Sequence, residues 1–117
     1  MATFSKEKLS GSTNGKAIKV AATSTTGTTI HTAVAGASSW DCIELYATNN
    51  HTTAVTLTLE FGTTTAADGN IVIEIPSKSG LTYLIPNKLM LQNELVLTAF
   101  ASVADVILIF GSIERIS

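Results

Sequence analysis

The residues able to do chemistry are few and dispersed. The chain has two histidines, His31 and His51, and one cysteine, Cys42. His51 closes Asn49-Asn50-His51, a grouping that makes turns more readily than ligand sets. His31 falls in an alternating stretch, opposite in phase to Ile30. No carboxylate or second histidine stands at a spacing that suggests a metal site. The acids Asp41, Glu44, Glu60, Glu74, Asp105 and Glu114 lie on different segments, so no pair is recognisable at the set separation that glycoside hydrolysis requires. No serine has a nucleophile-elbow context. The glycines are solitary, so no phosphate-cradling loop is written. Cys42, within Trp40-Asp41-Cys42-Ile43, supports neither an internal disulfide nor a Cys-based cluster, and reads as a buried structural thiol. Trp40, Tyr46 and Tyr83 could stack on a sugar, but aromatics are only 6% of the chain, and Trp40 reads as a core plug at a strand start. These residues point to no enzyme, no metal, no cofactor and no small-molecule substrate.

The elements that hold these residues are strands. In Val55-Thr56-Leu57-Thr58-Leu59-Glu60-Phe61 the apolar residues recur every second position, the period of a half-buried strand. The same pattern predicts strands over 16–22, 28–35, 40–49, 53–61, 71–75, 81–85, 94–101 with a lead-in at 89–91, and 106–110 continuing to 112–116. Pro76 and Pro86 are expected to stop the strands before them, because proline cannot donate to a ladder. Gly111 is expected at a bulge or bend. The Asn49-Asn50-His51 turn is expected to join its two flanking strands as a hairpin. The only place for a helical turn is 84–91. About eight strands spaced near ten residues apart predict a single-domain, all-β antiparallel sandwich, jelly-roll-like, over residues 15–117. Residues 1–14, with Gly11 and Asn14-Gly15 as breakers, are expected to form an extended N-terminal arm.

The inward residues are expected to be Val20, Ile30, Ile43, Leu45, Val55, Leu57, Leu59, Ile73, Ile75, Leu84, Leu95, Leu97, Val106, Leu108 and Phe110. Val106-Ile107-Leu108-Ile109-Phe110 is apolar on both faces. Its second face belongs either to a strand at the centre of the sandwich or to a subunit interface, for which Ile107 and Ile109 are the candidates.

Charged residues are only 14% of the 117, against the usual quarter, so much of the surface is neutral, supplied by runs such as Thr23-Ser24-Thr25-Thr26 and Thr63-Thr64-Thr65. Such a surface packs against protein at low desolvation cost. The net charge of −2 argues against a nucleic-acid footprint. The balance is uneven: residues 1–20 carry +3, the remainder −5. A basic segment on an acidic body suits docking on an acidic neighbour, another copy included; Phe4, Lys6, Lys8 and Leu9 are its candidate partner-binding residues. The first residues lack a signal-peptide apolar stretch, and no run approaches the roughly 18 apolar residues a membrane helix needs, so a cytoplasmic origin and no membrane partner are expected.

One stretch carries a resemblance. It runs from Leu45-Tyr46-Ala47-Thr48-Asn49 through Phe61-Gly62, Ile75-Pro76, Gly80, Ile85-Pro86, Leu89 and Leu95. It ends in Ala99-Phe100-Ala101-Ser102 and Ile109-Phe110-Gly111-Ser112-Ile113-Glu114-Arg115-Ile116. This punctuation, over roughly residues 40–117, resembles the small β-rich virion proteins of tailed bacteriophages, among them capsid decoration (cement) proteins. The resemblance implies a non-enzymatic subunit on the outer capsid surface, made in the host bacterial cytoplasm. Its partners would be the major capsid protein and itself, as a homotrimer. A tail, connector or vertex component, and from another class a carbohydrate-binding adhesion module, are the alternatives.

Overall fold

The computed structural model describes residues 3–117, save for the side chains of residues 86–88. Nine strands form: β1 Phe4–Lys8, β2 Ile18–Lys19, β3 Thr28–Thr32, β4 Trp40–Asn49, β5 Val55–Phe61, β6 Asn70–Ile75, β7 Thr82–Leu91, β8 Val96–Ala101 and β9 Ile107–Ile116. No helix occurs among the described residues. The strands make two antiparallel sheets. The first has the order β1-β9-β4-β7, with β2 also paired to β9; the second has the order β3-β8-β5-β6. From β2 onward the chain crosses to the other sheet at every connection except β5 to β6. The core between the sheets is aliphatic, with Ile43, Leu45, Leu57, Leu59, Leu97, Ile107, Ile109 and Ile113 all fully buried. The all-β sandwich expected from the alternation is what forms.

Several expectations are corrected. The hairpin across Asn49-Asn50-His51 does not form, because β4 pairs with β7 and β9 while β5 pairs with β6 and β8. The reason is Asn49, which is fully buried. Its Nδ2 donates to the Thr53 carbonyl at 3.0 Å and the Ile75 carbonyl at 2.9 Å, while its Oδ1 accepts the His51 N–H at 2.8 Å. The corner therefore carries the chain across the sandwich instead of back along β4. Nor does Pro86 end a strand or a helical turn form nearby. β7 runs through it, and the ladder jumps from Leu45↔Ile85 to Ile43↔Leu89, so 86–88 stand against Glu44 alone. A register break is where a strand tolerates proline.

Gly111 makes no bulge. β9 pairs with β4 in unbroken register from Trp40↔Ile116 to Asn49↔Ile107. A Cβ on Gly111 would stand 2.3 Å from the Glu44 carbonyl oxygen, so glycine here permits a close strand approach. The phase of β9 is the reverse of that expected. Ile107 and Ile109 face the core, Leu108 is half-buried and Phe110 is exposed. In a run apolar on both faces, alternation cannot choose the inner one; pairing with β4 does, by setting Ile109 opposite the buried Ala47. Leu95 is likewise exposed, beside the positive-φ pair Asn93 and Glu94, and Ile73 and Val106 are only partly buried.

The segment 1–14, expected as an extended arm, carries β1, which lies on β9 with Phe4↔Ile116, Lys6↔Glu114 and Lys8↔Ser112. Thr3 and Ser117 exchange both backbone bonds, at 2.7 and 2.9 Å. Beyond β1 the chain crosses to the second sheet. Leu9 enters the core at 1% exposure, and the Gly11 N–H donates to the Ile30 carbonyl at 2.9 Å. Met1 and Ala2 lie outside the described residues.

Candidate functional site

The two buried carboxylates each centre a polar cluster. The first centres on Asp41, which faces inward from β4 and is fully buried. Arg115 of β9 donates to it twice, Nε to Oδ1 at 2.7 Å and Nη2 to Oδ2 at 3.1 Å. His31 of β3 meets Oδ2 through Nε2 at 2.7 Å, and the Val34 N–H donates to the same oxygen at 3.0 Å. His31 Nδ1 accepts the Ser10 N–H at 3.0 Å, so the ring proton belongs on Nε2, directed at Asp41. Burial pushes the Asp41 carboxyl up, but the bonds from Arg115 and His31 outweigh it and hold the group below the ordinary carboxylate range. The cluster ties the β1–β2 connection, β3, β4 and β9 together. Both His31 nitrogens are engaged and the ring is buried, so it has no nitrogen to offer a substrate.

Glu60 is the second cluster. It is buried on β5 and faces no cation in its bonds. Thr98 Oγ1 donates to Oε1 at 2.6 Å, the Gly27 N–H donates to Oε1 at 2.8 Å, and the Thr25 hydroxyl donates to Oε2. Burial raises this carboxyl, and the three donors more than offset it, leaving it below the ordinary range. The consequence is positional: the 24–27 loop is fastened onto the outer face of the second sheet. A Cβ on Gly27 would stand 2.5 Å from the Ala99 backbone, which shows how closely the loop lies on β8. Beside it runs an open groove of about 500 Å³, lined by Thr26, Thr29, Thr63, Thr98, Glu94 and Leu95. No group of three or more metal-ligating side chains occurs among the described residues.

The third arrangement is the outer face of the first sheet. Ladder register places Phe110, Tyr46 and Tyr83 side by side across β9, β4 and β7, and Phe4, Ile116 and Trp40 side by side across β1, β9 and β4. Tyr83 is 69% exposed, Phe4 63% and Met90 60%. The Tyr46 and Tyr83 rings pack edge to face, 5.0 Å apart at 71°. Burial, with the Glu44 carboxylate adding to it, pushes the Tyr46 phenol up. Between the two rows lies a polar strip with a small cleft of about 70 Å³ lined by Lys6, Cys42, Glu44, Ser112, Ile113 and Glu114.

Of the residues singled out from sequence, Phe4, Lys6 and Lys8 are exposed on this face. Leu9 is not available to a partner, because it is a core residue. Ile107 and Ile109 cannot form an oligomer interface for the same reason, and the outward residues of that stretch are Leu108 and Phe110. Trp40 is not a core plug; it is half-buried beside Met90, Leu91 and Gln92, lining a hollow of about 390 Å³. His51 is part of the Asn49 turn, and Cys42 is buried. Sequence reasoning missed the meeting of His31, Asp41 and Arg115, of which Asp41 and Arg115 lie 74 positions apart. The one signal for it was a charged residue at Asp41 in the inward phase of β4. Compared with protein-family models, with curated proteins and with solved structures, the chain matches none.

Proposed function

We propose that the chain is a non-enzymatic structural protein of a bacteriophage virion, a capsid decoration (cement) subunit that binds and stabilises the major capsid protein shell from outside. The observation that carries this reading is the outer face of the first sheet, where Phe4, Tyr83, Met90 and Phe110 are exposed together with the half-buried Trp40 and Ile116. Apolar side chains gathered on one face mark a surface that another protein covers. The charge-poor, threonine-rich surface supports the same reading, since it costs little to desolvate. The strand order, β2-β9-β4-β7 facing β3-β8-β5-β6, supports the jelly-roll form of the sandwich, an architecture used in viral shells. The phage context comes from the sequence resemblance alone.

The test is the copy number of the chain in purified particles by quantitative mass spectrometry. On the order of hundreds of copies fits multivalent attachment over a shell. A few dozen or fewer moves the protein to the tail, connector or vertex, and absence removes the virion reading. Binding of the full chain to undecorated shells should weaken when Tyr83 and Phe110 are both changed to Ser, because both side chains are exposed on this face.

A carbohydrate-binding adhesion module is the second reading, favoured by the Phe110-Tyr46-Tyr83 row. The 71° angle between the tyrosine rings weighs against it, since a flat sugar face stacks best on coplanar rings. Glycan-array binding that disappears in Tyr83→Ala would favour it over the shell.

A further inference from the structure

We propose that the outer edge of β6 is a self-association site, where β6 of a second copy adds antiparallel and joins the two second sheets into one. An open sheet edge presents unpaired N–H and C=O groups, and proteins that remain single blunt such edges. Three of the four edges here are blunted. β1 is five residues long and carries Lys6, Glu7 and Lys8. β7 is broken in register between Ile85 and Leu89. β3 has a register shift between Thr29 and His31 and is covered from outside, where the Gly11 N–H bonds to the Ile30 carbonyl and the Thr32 N–H to Ser10 Oγ. β6 has none of these devices. Its register on β5 is unbroken from Val55↔Ile75 to Glu60↔Asn70, and Asn70-Ile71-Val72-Ile73-Glu74-Ile75 carries one charge and no proline. Among the described strands it pairs with β5 alone.

The ladder phase fixes which groups are open. The Phe61 N–H bonds to the Gly69 carbonyl at 2.8 Å, so Phe61 and Gly69 are a hydrogen-bonded pair. Such pairs alternate, and so Ile71, Ile73 and Ile75 bond to β5 while Asn70, Val72 and Glu74 point their backbone groups outward. Two copies meeting at this edge must match outward residues with outward residues. Antiparallel pairing about a twofold axis does so with Val72 opposite Val72 and Asn70 opposite Glu74. That register gives about six backbone bonds and meets each Glu74 carboxylate with a side-chain amide instead of a second carboxylate. It also covers Val72, which is 62% exposed in the single chain. A second copy is the occupant because the same six residues complement themselves, as a twofold interface requires. The inference stands apart from whatever the outer face of the first sheet docks on.

The test is sedimentation of the full chain together with amide hydrogen exchange. The wild-type chain should sediment as a dimer, with slow exchange at Val72 and Glu74. Val72→Lys sets like charges opposite each other and should halve the sedimenting mass and make the Glu74 amide fast, while the Ile71 and Ile73 amides stay slow. Val72→Pro removes only an outward N–H and should do the same. The slow Ile71 and Ile73 amides report that either variant is folded. A monomeric wild type whose Val72 and Glu74 amides exchange like those of loops overturns the proposal. So does a dimer or trimer that a folded Val72 variant leaves intact.

Discussion

Arg115 of β9 and Asp41 of β4 stand directly opposite each other in the ladder and are joined by two parallel bonds, at 2.7 and 3.1 Å. The pair is lopsided in environment: Asp41 is fully buried, while a third of the Arg115 side chain reaches solvent. Removing the acid leaves four donors, Nε and Nη2 of Arg115, Nε2 of His31 and the Val34 N–H, aimed at an empty site. Asp41→Ala should therefore lower stability by about 3–5 kcal/mol in urea unfolding. Arg115→Lys keeps the charge but loses the planar fork, and should cost about 1–3 kcal/mol.

Stability should fall on the acid side. Asp41 and Glu60 both have folded-state values below their unfolded ones, so each contributes stability that is complete above the ordinary carboxylate range and is lost as the pH drops through the folded values. The melting temperature should be level from neutrality to about pH 5 and decline below about pH 4. Glu60→Gln and Asp41→Asn should each flatten that decline in a calorimetric pH series. A decline equally steep in both variants would assign it to other carboxylates.

Leu9 separates a docked N-terminal segment from a free arm. A free arm would tolerate any change there. Leu9 is a core residue, so Leu9→Ala should cost about 2–5 kcal/mol. Deleting residues 1–10 should cost more, since it also strips β1 from β9 and takes the Ser10 N–H from His31. Unchanged melting after either change would mean that the segment contributes nothing to the fold.

Gly111→Ala tests the close approach of β9 to β4. The added methyl meets the Glu44 carbonyl oxygen, which cannot move without disturbing the ladder. We expect a loss of about 1–3 kcal/mol by thermal unfolding, with the secondary structure retained.

The strands were legible because their residues alternate; β4, β5 and the inward phase of both follow from period two alone. The pairing of those strands was not. Whether β4 turns back into β5 or crosses the sandwich depends on one asparagine side chain bonding to carbonyls on two other segments, and no local pattern encodes that. The inner face of β9 was equally hidden, because Ile107 and Leu108 are interchangeable to a hydrophobicity pattern and are told apart only by the register on β4. The basic, breaker-rich N-terminal segment read as an extended docking arm, yet its placement on the fold includes Leu9 in the core, an apolar residue flanked by polar ones.

The place of β9 in the first sheet bears on how the protein is made. β9 is made after the other eight strands described, and it pairs with β1, β2 and β4 at once. Until it leaves the ribosome, β1 and β2 have no strand to lie on and Asp41 has no arginine. A nascent chain that lacks these ten residues can assemble β3, β8, β5 and β6, but it exposes the aliphatic inner face that Ile107, Ile109 and Ile113 would cover. Completion of the sandwich thus waits for β9, and premature termination upstream of Ile107 yields a sticky half-sandwich in place of a smaller stable protein.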